Sequence, residues 1–457
     1  MEKNSISRRS FLKSSALVGA AGMAGTGSAG LLTSCKQADT GPKYTPIREP
    51  GSYYIPGLEE TEAEGRELKV GLIGCGGQGR GDLRNLMQCT KNVKITALGD
   101  AFIDRLNDAA ADVQKMKGYE VPESNRFVGL DAYKKVIDSG VDAVMIVTPP
   151  FFRPIHYQYA VEKGKHCFME KPLFVDPAGY RSAVATTRQL QAKNLCVVVG
   201  TQRHHERSYV AGFQKVMDGW IGDITGGAVY WNGTVPWTNL PKPGMSDGEG
   251  FLRNWVNWKW LSGDHIVEQH VHNLDVFTWF SGMRPESVNG VGARHRRPSG
   301  DQFDSFSLDF IMENGIHVHS MCRQLAGAAG PVAEFIQGTK GSWATLDNQH
   351  VIKDLKGEVI WKYSFDEEKE KFKVNSPTQL ELLNWINHIR AGKFIEQASE
   401  LAVSTMMAVM GREAAYTGRI IRWNDIVASP MDLTPPDFAL TGKMDLTRYP
   451  IPVPGRG

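Results

Sequence analysis

The sequence predicts an α/β fold in two parts: a doubly wound parallel sheet, then an α+β domain on an open, mostly antiparallel sheet. Three observations predict it. An apolar run at residues 70–73 ends in Gly74-x-Gly76-x-x-Gly79, and Leu83, Leu86 and Met87 follow at helical spacing. From Leu68 to Gly200 strand-like and helical stretches alternate, as βαβ units do. After Gly200 long helices thin out and short strand-like runs take over.

In order, the first strand and its glycines form a strand, turn and helix. Gly74 allows the tight turn, Gly76 lets a phosphate approach the main chain, and Gly79 lets the helix pack on the strand. Gly77 and Gln78 lie between them, at a helix N-terminus that would face a pyrophosphate. A second strand at 93–98 leads to Gly99-Asp100. Asp100 lies 21 positions after Gly79, close to the ~20 expected of the acid that binds a ribose 2′-hydroxyl. A helix follows with Ile103, Leu106, Ala110 and Val113 on one face. Strands at 143–147, 166–169 and 195–199 complete the sheet, with a helix carrying Tyr180, Ala183, Val184, Thr187 and Leu190 before the last. The motif and the placed acid favour a dinucleotide site over an incidental glycine turn. Asp100 favours NAD over NADP, whose 2′-phosphate a carboxylate would repel.

In the second half, strands are predicted at 227–231, 306–311, 316–322, 333–336, 343–346 and 359–363. Glu313-Asn314-Gly315 makes one hairpin. Helices return at 378–391 and 400–416, and a Pro-rich stretch begins at Ser429. The organisation read from this is a signal at 1–35, a polar linker at 36–66 packed partly on the surface, a nucleotide domain at 67–200, a substrate domain at 201–425 and a tail at 426–457.

The signal is Ser7-Arg8-Arg9-Ser10-Phe11-Leu12-Lys13, a twin-arginine pattern, followed by an uncharged Ala/Gly-rich run at 14–34. That run is too glycine-rich for a permanent membrane span. It closes on Leu32-Thr33-Ser34-Cys35, which resembles a bacterial lipobox. Export is expected, to the periplasm or to a membrane surface held only through a lipid on Cys35. The net charge of +2 over 457 residues gives no argument for a nucleic-acid partner. Cys75, Cys89, Cys167, Cys196 and Cys322 show neither zinc spacing nor an even disulfide set and read as small buried hydrophobes.

The motif, together with Thr148-Pro149-Pro150, His156, Gly164-Lys165-His166 and Glu170-Lys171-Pro172, resembles the Gfo/Idh/MocA oxidoreductases over roughly residues 67–425. The resemblance implies that Thr148, Pro149, His156, Glu170, Lys171 and Gln202 line the NAD site, and that Pro172 follows a cis bond. It makes Lys171 a holder of the substrate hydroxyl. A second stretch, Gly263 to Asp275, spaces His265, Glu268, His272 and Asp275 by three, four and three, one face of a helix. On spacing alone, an ordinary amphipathic helix with that face in water is the better reading. The family's Asp-x-x-x-His-x-x-Asp pattern implies that His272 takes the proton and Asp275 orients it, with Glu268 in place of the first Asp. His270 and His272 point to different helix faces, so no metal site is expected.

Further substrate contacts are expected from Arg203, His265, Arg323 and the Trp255–Trp260 stretch, where Trp258 and Trp260 would stack on a sugar ring. Gln202 and Arg203 read equally well as a capping loop. The function expected is NAD(P)-dependent redox chemistry at a carbinol carbon of a small carbohydrate, in a homo-oligomer joined through the second sheet. Three alternatives remain: an NAD-using glycoside hydrolase, a non-catalytic binding protein and a structural surface lipoprotein.

Overall fold

The computed structural model describes residues 48–49, 51–346, 349–436 and 438–455. The twin-arginine motif and Cys35 lie outside them. The first sheet is parallel, six-stranded and ordered β3-β2-β1-β4-β5-β6. Its strands are β1 (Leu68–Ile73), β2 (Val93–Asp100), β3 (Arg126–Val128), β4 (Ala143–Ile146), β5 (His166–Met169) and β6 (Val197–Val199). β1 and β4 are buried along nearly their whole length, as a sheet with helices on both faces requires. Those helices are α1 (Gly77–Cys89), α2 (Ile103–Lys117), α3 (Ala132–Asp138), α4 (Arg153–Glu162) and α5 (Pro177–Ala192). The order reverses beside β1, so the crevice beyond the carboxyl ends of β1 and β4 is the topological switch point, where such sheets bind ligands.

The second sheet has nine strands in the order β14-β13-β12-β11-β7-β10-β9-β8-β15. They are β7 (Ile224–Gly233), β8 (Pro285–Ala293), β9 (Ser305–Met312), β10 (His317–Gln324), β11 (Val332–Gly338), β12 (Gly341–Leu346), β13 (Gln349–Asp354), β14 (Val359–Lys362) and β15 (Ile421–Arg422). All neighbours pair antiparallel except β7 with β10. Beside β7 come α6 (Arg207–Met217), α7 (Asp247–Arg253), α8 (Lys259–Ser262), α9 (His265–Glu268) and α10 (Val271–Ser281). α11 (Phe365–Lys371), α12 (Pro377–Ala391), α13 (Ala398–Thr417) and α14 (Trp423–Ala428) follow the large strands. One face of this sheet packs on α10 and α13, and Val229, Val318, Leu308 and Phe310 are buried there.

Packing ignores the expected boundary at residue 200. α12 sends Leu382, Trp385 and Ile386 into the core under the parallel sheet, with Trp385 against Phe168 at 5.9 Å between ring centroids. Residues 54–66 run along the same helix. Glu62 pairs with Arg390 at 2.7 Å and Ala63 N–H donates to Asn387 Oδ1 at 2.7 Å. A separate apolar cluster joins Phe102, Phe251, Leu252, Trp260, Leu261 and Met444, with Phe151, Phe152, Phe438 and Tyr449 packed around it. It bolts α7 and the C-terminal tail onto the turns after β2 and β4. The five cysteines within the described residues are free thiols; all but the half-buried Cys89 are buried.

Candidate active site

The switch point opens into a cleft of about 1020 Å³ lined by both halves of the chain. Its nucleotide end is made of main chain. Gly74 sits at φ +95°. A Cβ on Gly79 would fall 1.9 Å from Gly74 O, so only glycine lets α1 start this close to β1. Gly77 faces open space, and α1 begins there with its N–H groups unpaired, an arrangement suited to a pyrophosphate. Asp100 ends β2. Its carboxylate accepts the N–H of Cys75 at 2.7 Å and of Phe102 at 2.9 Å, and the remaining lone pairs suit a ribose diol. Burial raises its pKa, opposed by those bonds and by Arg105. These residues fit a dinucleotide.

The turns after β4 and β5 form the middle of the cleft. Arg153, which the sequence did not single out, ties them together. Its Nε donates to Thr148 O at 2.9 Å and its Nη1 to Pro172 O at 2.6 Å. Burial pulls the Arg153 pKa down to about 10. His156 meets Thr148 Oγ1 at 3.2 Å and stacks on Tyr133 at 4.2 Å. Burial, helped by Arg153, pushes its pKa down to about 3, so it is a neutral spacer. Glu170 accepts the Lys171 N–H at 3.1 Å, and burial raises its pKa against the pull of Lys171. The Lys171–Pro172 peptide is cis. Gln78, Pro149 and Gln202 also line the cleft.

Lys171 points across to the second half. Its Nζ donates to Glu268 O at 2.6 Å and to Glu268 Oε1 at 3.1 Å, with both side chains nearly buried. The acceptor carbonyl exists because the expected single helix is broken. Asp264 stands at φ +74° and starts a four-residue turn. His265 O then takes the N–H of both Gln269 (2.9 Å) and His270 (3.0 Å), a widened turn of the kind frequent at functional sites. His272 N–H goes to Gln269 O at 3.2 Å, which leaves Glu268 O free for Lys171. His272 lines the cleft, and its ring lies nearly parallel to Trp231 at 5.8 Å. Burial, then the charges of Lys171 and Arg203, hold its pKa well below the ordinary histidine value. The neutral imidazole keeps a ring nitrogen free to take a proton, while burial and the neighbouring positive charges lower its affinity for one.

The break in the helix corrects two expectations, and apolar packing outside it corrects two more. His265 turns inward, bonded to Asp264 at 3.1 Å and packed on Phe306, away from the cleft. Asp275 does not orient His272. It meets His204 Nε2 at 2.7 Å and accepts from Ser404 Oγ at 2.8 Å, while His272 Nδ1 has no partner among the described residues. Trp258 and Trp260 are walls of the third apolar cluster: Trp258 packs on Phe251 at 4.3 Å, and Trp260 is 1% exposed. The tryptophans that do line the cleft are Trp231, Trp237 and Trp255.

Two arginines also lie elsewhere. Arg203 is buried behind Trp231 and paired to Glu334, whose carboxylate also takes Tyr209 Oη at 3.0 Å and Asn273 Nδ2 at 2.5 Å. Burial is the largest influence and opposes its charge, but Glu334 together with Tyr209, Glu206 and Asp275 raises its pKa. Arg323 is not among the cleft residues, because alternate residues of a strand face opposite sides and Gln324 is the one on the wall. Gln269 and Gln324 line the substrate end and were not anticipated. Gln324 only flanks a predicted strand, and Gln269 lies inside the predicted helix but off the face that the spacing singled out.

The architecture matches known proteins. The model of an oxidoreductase family with an NAD-binding Rossmann fold matches residues 68–201, and that of the GFO/IDH/MocA C-terminal domain matches residues 214–344, together over half of the chain. The chain belongs to the Gfo/Idh/MocA oxidoreductase family. It is an NAD-dependent oxidoreductase, and it carries a twin-arginine translocation signal at residues 5–25. Among its relatives, it is 24% identical over 290 residues to scyllo-inositol 2-dehydrogenase (NAD(+)) of Bacillus subtilis, covering 62% of this chain and 76% of that one. It is 23% identical over 406 residues to a glycosyl hydrolase family 109 protein of Shewanella pealeana, covering 82% of each. The fold is similar to scyllo-inositol dehydrogenase from Lactobacillus casei with bound NAD(H) and scyllo-inositol. That similarity has a TM-score of 0.59 at 22% identity and covers 80% of this chain and 100% of that structure.

Proposed function

We propose that this oxidoreductase acts on a hydroxyl or keto carbon of a sugar or glycoside, and keeps its NAD bound from one turnover to the next. The observation that carries the reading is the meeting of Lys171, Glu268 and His272 where the nucleotide end of the cleft joins the substrate end. Gly74, Gly76, Gly77, Gly79 and Asp100 would hold the dinucleotide, which when bound supplies the hydride acceptor or donor. Lys171, fixed by Glu268, holds the substrate hydroxyl. His272, kept neutral, takes the hydroxyl proton on oxidation and returns it on reduction. Trp231, Trp237 and Trp255 offer flat apolar faces suited to a pyranose or cyclitol ring.

Retention is favoured by the apolar cluster that closes the adenosine side. Arg253 of α7 grips Asp104 with two nitrogens, at 3.0 and 3.2 Å, and lies 3.9 Å over the Phe102 ring. An exported protein meets no ready pool of free cofactor, so a bound NAD regenerated within each cycle suits the address. Two reaction types fit: oxidation of one sugar with reduction of another, or transient oxidation that permits an elimination or hydrolysis. The glycosyl hydrolase relative, matched over most of both chains, favours keeping the second. Anchoring through a lipid on Cys35 and a homo-oligomer joined through the outer face of the nine-stranded sheet complete the reading.

The test is purified protein without added nucleotide, given sugar pairs and glycosides. Many turnovers per protein with no net NADH are expected. Activity that depends on a continuous supply of free NAD would make it an ordinary dehydrogenase.

A further inference from the structure

The substrate end of the cleft carries an amide whose hydrogen-bonding polarity is fixed. Gln324 ends β10, lines the cleft and is 4% exposed. Its Oε1 accepts from Arg297 Nη2. A guanidinium can only donate. Turning the Gln324 amide over would set its NH2 against those donors, so the oxygen stays on Arg297 and Nε2 faces elsewhere. Among the described residues, the hydrogen bond of the Gln324 side chain is that of its oxygen with Arg297.

Arg297 is itself held from several sides. Its Nη1 donates to Asn257 Oδ1 at 2.9 Å and its Nε to Phe303 O at 3.2 Å, and it is 6% exposed. Asn257 is fully buried and donates to Asn254 Oδ1 at 2.8 Å and Trp237 O at 3.2 Å. One buried network therefore fixes both the inner amide and the loop of a cleft tryptophan. The Arg297 charge is also felt by buried Asp264, so hydrogen bonds to three neutral acceptors and a nearby carboxylate together hold the guanidinium in place.

We propose that Gln324 is a specificity-determining residue, its Nε2 donating to an acceptor oxygen of the sugar, with Arg297 as the positioning residue behind it. This rests on the sugar reading above. A freely rotating amide would accept as readily as it donates. This one selects a ring, glycosidic or hydroxyl oxygen at that point and rejects a group that can only donate.

The test compares wild type, Gln324→Glu, Arg297→Met and Arg297→Lys, each with its own nucleotide bound. The probes are scyllo-inositol, glucose and p-nitrophenyl glucoside. Readouts are the half-saturating probe concentration and the limiting rate for single-turnover reduction of the bound nucleotide, taken as KM and kcat, and the thermal shift each probe induces. Gln324→Glu keeps the shape and a partner for Arg297, so the fold survives while the donor is lost. KM rises about tenfold, the scale of one hydrogen bond, and the thermal shift shrinks. kcat stays within about threefold, as for lost binding shared by ground and transition states. Arg297→Met frees the amide and acts in the same direction, and Arg297→Lys restores part of the loss. A wild-type KM and thermal shift in Gln324→Glu, or a fall in kcat at unchanged KM, overturns the proposal and leaves the sugar reading standing. A wild type that responds to no probe overturns both.

Discussion

The two ends of the cleft are built from different materials. The nucleotide end is main chain: a glycine turn, a helix N-terminus and one carboxylate whose oxygens are anchored on N–H groups. The substrate end is side chain: a lysine clamped by a glutamate, a histidine stacked on tryptophan, and behind them buried arginines held by Glu334 and by Gln324. The first is destroyed by adding atoms at its tightest points, since Gly74 and Gly79 leave no room for a Cβ. The second is destroyed by removing a partner, since a buried charge left alone is expensive.

The largest expected effect tests the first half of that contrast. Gly79→Ala forces a methyl to within 1.9 Å of Gly74 O, so the turn must open and nucleotide should be lost. Purified Gly79→Ala releasing a wild-type amount of NAD on denaturation breaks the claim that main-chain closeness makes the site. The second half is tested by Glu334→Ala, which strands Arg203 and should cost about 3–5 kcal/mol in urea unfolding. Arg66→Ala, at an exposed pair with Asp142, should cost less than about 1 kcal/mol in the same assay. Equal losses would erase the distinction.

Smaller in free energy are the chemical variants. Lys171→Ala and His272→Ala should each slow turnover by about 10²-fold or more while the nucleotide content stays near wild type. Near-normal turnover in either removes that residue from the chemistry. The pH profile sharpens the point. Burial and the Lys171 charge favour neutral His272, so protonation requires a lower pH than the usual value of about 6.5. kcat/KM should therefore stay level as pH falls from 8 to about 6, and an acid limb centred at the ordinary histidine value would contradict it. The mildest variant, Asp100→Ala, should weaken NAD binding and relax discrimination against NADP. Calorimetry finding tighter NADP than NAD binding in wild type would overturn the role of Asp100.

The same contrast explains what could be read from the sequence. The parallel sheet, its glycine motif and Asp100 were legible because local spacing alone fixes a strand, turn and helix. The strand β3 was missed because three residues carry no periodicity, and β8 because its glycines and asparagine hide a strand that sheet pairing imposes. At the substrate end, spacing assumed an unbroken helix from His265 to Asp275. The extra residue in the turn at Gln269 rotated His265 and Asp275 away while leaving Glu268 and His272 in the cleft. Trp258 and Trp260 were read as exposed because the tail that covers them lies almost two hundred residues later, where Phe438 and Tyr449 pack. Partners that distant leave no local trace.

The placement of α12 has a consequence in time. Its Trp385 completes the core around Phe168, more than two hundred positions earlier in the chain. At a synthesis rate of about 5–20 residues per second, roughly ten to forty seconds separate the two residues at the ribosome. Through that interval the emerging nucleotide half has a gap where the helix belongs, and the cleft lacks the wall that residues 438–449 support. Neither core nor cleft is finished until almost the whole chain has been made. A route that threads chains as they emerge would divide the two halves of this core across a membrane. A twin-arginine route, which moves finished proteins, keeps them together. The address at residues 5–25 is the first part synthesised, yet on this fold it is useful only once the last part is in place.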